Sequence, residues 1–234
     1  MDFMGLLRSV EDILFEIVSW LYFYPRTFLL SLFRPQRMMA YADDELDDRP
    51  KARYESTINP PVFLMITIAM ASTVSEFILG PEAVAQAIKD SPEFLRDWKN
   101  ELMFTAFIFS IYPLLLSIDL LRHRKIAIDR TSLRPPFYSQ CFVAAPFGLA
   151  NHIAIAFMSD TTFEYPIMGK YYDGIYIGFP IFLVTLIWYT VQQARWFRLE
   201  LGTSLLKSCW IAAFAVFKGF FVTFSIMMLI QGTG

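Results

Sequence analysis

The chain has 234 residues, of which 56% are hydrophobic, 17% aromatic and only 18% charged. A soluble domain of this size carries roughly 25% charged residues spread along its length, whereas here they collect between long apolar runs, which excludes an ordinary soluble domain. The formal charge of −2, from 20 Lys+Arg against 22 Asp+Glu, supplies no basic excess for nucleic acid, which is not an expected partner.

In chain order, the first element is amphipathic. Leu6, Leu7, Val10, Ile13, Leu14, Ile17, Val18 and Leu21 recur at helical spacing, with Arg8, Ser9, Asp12, Glu16 and Ser19 on the other face. Pro25 is expected to end or kink this helix, and a second apolar piece, Phe28 to Phe33, is stopped by Pro35. Residues 1–40 are therefore expected to lie in the membrane interface, with Arg26, Arg34 and Arg37 near anionic headgroups. A further span is the competing reading, but Glu11, Asp12 and Glu16 would be costly at bilayer depth. Asp2, Glu11 and Asp12 within the apolar stretch, and the lack of a small-residue cleavage site, argue against a removed signal peptide. Residues 41–58, with Asp43, Asp44, Glu45, Asp47 and Asp48, read as a polar acidic linker without the ligand periodicity of a calcium loop.

Residues 59–234 read as an all-α transmembrane domain. Crossing a bilayer takes about 20 mostly apolar helical residues, and five segments qualify: Pro60 to about Gly80, Glu101 to Leu121, Pro136 to Met158, Gly174 to Ala194, and Ser204 to about Ile230. None alternates with period two, which argues against a barrel. Lys and Arg set the orientation. Seven precede the first span, five lie between spans two and three and three lie around the link between spans four and five, against four on the opposite side. The amino terminus is expected to be cytoplasmic and the carboxyl terminus on the other side. Arg122, Arg124 and Lys125, where span two ends, join the expected contacts with anionic lipid. Trp98, Tyr138, Tyr171, Tyr172, Trp188, Tyr189 and Trp196 flank the apolar runs as candidate interfacial aromatics.

Ionisable residues inside spans are functional candidates. Glu76, His152 and Lys218 each stand about 21–24 Å along their spans at 1.5 Å per residue, so one polar layer is expected, with a Glu76–Lys218 ion pair and His152 beside it. Cys141, Ala145, Gly148 and His152 share a face of otherwise small residues that can admit a neighbouring helix. Asp119 reads as an interfacial residue within reach of Arg122. Pro113, Pro146 and Pro180 mark possible bends of the kind that build transporter sites. The Pro-Pro pairs that precede spans one and three hint at a repeat.

The common catalytic signatures are missing, and no local arrangement favours an intramembrane hydrolase built on Ser72, Ser75, His152 or Lys218. There is no HExxH, GxSxG or glycine-rich phosphate loop, and the chain has only two histidines, His123 and His152. No cofactor or metal is expected. Cys141 and Cys209 read as small packed thiols, and no glycosylation sequon occurs.

The order of these parts, with Tyr54 to Phe63 (YESTINPPVF) leading into span one and Gln192 to Lys207 (QQARWFRLELGTSLLK) linking to span five, resembles the Yip family of five-span membrane proteins. That family is related to Rab-GTPase-interacting proteins of eukaryotes and has bacterial relatives. The resemblance covers residues 54–231 and implies a permease-like or trafficking-type protein without enzymatic activity.

The leading expectation is a non-enzymatic accessory or scaffolding subunit that associates with lipids and with other membrane proteins or itself. A bacterial inner membrane is the simplest location. The alternative is a homo-oligomeric permease or channel through Glu76, His152 and Lys218, and an intramembrane lipid enzyme ranks last.

Overall fold

In the computed structural model, residues 3–47, 54, 56–159, 165–167 and 170–231 are described. The described chain is all-α apart from one small ribbon: α1 (Phe3–Phe33), α2 (Pro35–Asp47), α3 (Pro60–Asp90), a 3₁₀ turn (Glu93–Leu95), α4 (Trp98–Arg124), α5 (Arg130–Ser159), strands β1 (Tyr165–Ile167) and β2 (Lys170–Tyr172), α6 (Ile175–Leu201) and α7 (Leu205–Gln231). The strands form an antiparallel hairpin with Tyr165 opposite Tyr172. Helices α3 to α7 are each long and apolar enough to cross a membrane, so the chain is an integral membrane protein with five candidate spans.

α5 is the hub. It packs against α1, α2, α3, α4 and α6, and every residue from Ser139 to Gly148 is buried. The expected small face explains why: Cys141, Ala144, Ala145 and Gly148 let neighbours approach, and the space above the Gly148 Cα is filled by Ile68 of α3 and Phe109 of α4. α5 starts six residues earlier than expected because Asp129 caps it. The Asp129 carboxylate accepts the N–H groups of Thr131 (2.8 Å) and Ser132 (2.9 Å), and those bonds hold its pKa below the usual carboxylate value. α3 turns sharply at Gly80, whose φ of 77° suits a residue without Cβ, just before Pro81. The first apolar span thus ends where its sequence indicates, and a second helical stretch continues to Asp90.

Several expectations need correction. Pro25 does not end the first helix, which runs unbroken to Phe33. Of its predicted apolar stripe, Leu14, Val18 and Leu21 are exposed, and the contacts with the core come from Trp20, Phe23, Tyr24, Phe28 and Leu30. The Tyr24 hydroxyl donates to Thr67 of α3 (3.1 Å). An outward apolar stripe on a helix docked to the spans is what an interfacial helix needs when lipid, not protein, covers it.

Residues 41–47 are not a free linker. They complete α2, which buries Met38, Met39 and Ala42 at helical spacing against α5. The remainder of the acidic run, Asp48 to Lys51, lies outside the described residues. Tyr189 and Trp196 are not interfacial but buried in the core, and Trp98 is exposed. Pro113, Pro146 and Pro180 lie within continuous helices, so no span is broken there.

Candidate functional site

The expected three-residue polar layer divides into two separate places. Glu76 and His152 line one cavity of about 220 Å³ between α3, α4 and α5, together with Ser72, Ser75, Glu101 and Ser159. The His152 ring lies 5.3 Å from Phe109. Its Nδ1 and the Ser75 hydroxyl are buried without a hydrogen-bond partner among the described residues. The cavity has a mainly apolar lining with these polar groups set in it, and it is roomy enough to hold water.

Lys218 is elsewhere. Its ammonium donates to both carboxylate oxygens of Asp119, at 2.5 Å, across the α4–α7 interface. The Glu76–Lys218 pair is therefore replaced by Asp119–Lys218, and Asp119 is not held by Arg122. The reason is directional. Side chains on a helix tilt toward its N-terminus, and α4 and α7 run antiparallel, so Asp119 and Lys218 lean toward each other although their backbone depths differ. Tyr112 fixes the register. Its ring fills the space above the Gly219 Cα, and its hydroxyl lies 3.4 Å from the Thr223 hydroxyl.

A packed aromatic layer separates the two polar places. Tyr112, Phe147, Tyr189 and Phe220 meet at centroid distances of 4.2 to 6.3 Å, and Phe109 joins Tyr112 to His152. Along α4 alone, Glu101 and Asp119 are about 27 Å apart.

The end of the bundle carrying α2 and the α4–α5 and α6–α7 links holds a second set of polar contacts that the sequence reading did not single out. Gln140 of α5 and Gln193 of α6 exchange two amide hydrogen bonds of 2.8 Å, fully buried. The Gln36 amide donates to the Gln192 carbonyl (2.9 Å), which ties α2 to α6. The Ser139 hydroxyl lies 2.8 Å from Asp43 and 3.0 Å from the Met39 carbonyl, which ties α5 to α2. Burial pushes the Asp43 carboxyl up from 3.8 to about 6. The signal available in the sequence was the presence of amides next to apolar runs, where an unpaired amide would be costly.

Of the expected lipid-contacting residues, Arg26, Arg34, Arg37, Arg122 and Lys125 are exposed. Arg124 is engaged instead: it forms an ion pair with Glu200 and donates to the Glu200 carbonyl (2.9 Å) near the end of α6, where a cation favours the helix C-terminus. Gly202, with φ of 59°, closes that helix.

These features define a polytopic helical membrane protein. Compared with known protein families, curated proteins and solved structures, the chain matches none.

Proposed function

We propose that this chain is a non-enzymatic membrane component, an accessory or scaffolding subunit that works by associating with other membrane proteins or lipids. One observation carries the reading. The Asp119–Lys218 pair and the cavity that holds Glu76, Glu101 and His152 are separate, and the aromatic layer of Tyr112, Phe147, Tyr189 and Phe220 packs between them. A single copy thus offers a helical bundle with a docked surface helix and packed aromatics between its two polar places. The bias of Lys and Arg favours a cytoplasmic amino terminus and a carboxyl terminus on the other side, and we place the chain in a bacterial inner membrane.

Extraction in mild detergent followed by identification of stoichiometric companions tests the proposal. A second membrane protein at fixed ratio supports it. Ion or solute flux through liposomes that contain only this chain overturns it.

A further inference from the structure

We propose that the groove between α4 and the start of α5 is a binding site for an anionic phospholipid, with the phosphate held by Arg130 and Arg134 and one acyl chain lying along the apolar wall. This goes beyond the accessory reading and does not depend on it.

The groove has a volume of about 840 Å³, within the range of about 300–1,000 Å³ typical of ligand pockets. Along α4 its wall carries Leu114, Ile111 and Phe107, with the Ser110 hydroxyl bonded back to the Ala106 carbonyl (2.7 Å), and Phe137 of α5 continues it. That stretch of α4 is about 10 Å long, and it leads from the arginines along the outer face of α4, where Leu114 and Phe107 are exposed. The lining therefore has the two-part chemistry of a lipid: cationic at one end, hydrocarbon along the rest.

The cationic end is free to act. Among the described residues, neither Arg130 nor Arg134 has a carboxylate partner, since the ion pairs found there are Arg124–Glu200 and Lys218–Asp119. The acid next to them, Asp129, is engaged by the N–H groups of Thr131 and Ser132. Those two N–H groups are thereby occupied, which leaves the guanidiniums as the anion-binding groups. Arg134 is also oriented. Its guanidinium carbon lies 5.0 Å from the centre of the Tyr138 ring, and its Nη2 is 3.4 Å from the Tyr138 hydroxyl. A planar fork held over an aromatic face is suited to a phosphate diester. Charge complementarity and the apolar wall together favour a phospholipid over a neutral lipid or a partner helix.

The test is native mass spectrometry of the full chain in mild detergent, titrated with phosphatidylglycerol or phosphatidylcholine, with folding of each variant checked by circular dichroism. The wild type is expected to retain one phosphatidylglycerol in preference to phosphatidylcholine. Arg130→Gln with Arg134→Gln is expected to reduce that preference by roughly five-fold per arginine. Arg195→Gln with Lys207→Gln removes the same charge from exposed positions by the α6–α7 link and is expected to leave the preference intact. Leu114→Trp, which fills the wall, is expected to weaken retention with both arginines present. Equal retention of both lipids, or no loss in the Arg130/Arg134 variant, would overturn the proposal. So would displacement by glycerol phosphate at concentrations comparable to the lipid, which would mark a simple anion site. Disulfide trapping of a Leu114→Cys variant to a second copy in the membrane would assign the groove to a protein neighbour instead.

Discussion

Changing Lys218 to Met keeps most of the apolar stem and removes the ammonium that Asp119 accepts from α7. Breaking a fully buried pair in this way costs about 3–5 kcal/mol, because the remaining charge is left without a partner. The side chains are 25% and 12% exposed, so partial screening reduces the expected loss to about 2 kcal/mol. Adding Asp119→Leu removes the orphaned carboxylate, and the double variant should return to within about 1 kcal/mol of the wild type. Glu76→Gln, in a different cavity, should combine additively with Lys218→Met. The assay is unfolding in mixed detergent micelles, followed by far-ultraviolet circular dichroism, for the single and double variants. Rescue of Lys218→Met by Glu76→Gln, or a double Asp119/Lys218 variant as unstable as the sum of its parts, would refute the pairing.

The remaining predictions concern other contacts. Asp43 titrates near 6 when α2 is docked and near 3.8 when it is free, so the docked state binds more protons between those values and docking weakens as pH rises from about 4 to above 6. The change should amount to about 1–2 kcal/mol after allowance for partial exposure. Hydrogen exchange along α2 should follow it, and Asp43→Asn should flatten the profile. Gln140→Leu alone should destabilise by about 1–2 kcal/mol by orphaning the Gln193 amide, while Gln140→Leu with Gln193→Leu should be nearly neutral in the same unfolding assay. A Cβ at Gly178 would stand 2.5 Å from the Ala154 carbonyl oxygen, a backbone atom, whereas one at Gly148 would stand 2.8 Å from the movable tip of Ile68. Gly178→Ala should therefore cost about 1–3 kcal/mol, and more than Gly148→Ala, as comparison of their unfolding midpoints will show.

Five spans were legible because apolar runs long enough to cross a bilayer leave few alternatives, and α3 to α7 fall on those runs, with α3 to α6 continuing three to ten residues beyond them. The face of Cys141, Ala145 and Gly148 was legible for a similar reason, since small residues at helical spacing have little use except close packing. The partner of Lys218 was not. Depth counted along the backbone ignores the direction and length of the side chain, and a lysine leaning toward its helix N-terminus reaches a carboxylate well below its own Cα. α2 escaped notice because its acids dominate the composition, although the stripe of Met38, Met39 and Ala42 decides where it docks. Arg130 and Arg134 entered the sequence reading only as topology charges, and their place beside an apolar groove depends on how α4 packs on α5.

The most direct test of the account is native mass spectrometry of the complex extracted in mild detergent, with every subunit identified. The account predicts this chain at a fixed ratio with a second membrane protein. A pure homo-oligomer that conducts ions or solutes after reconstitution would contradict it.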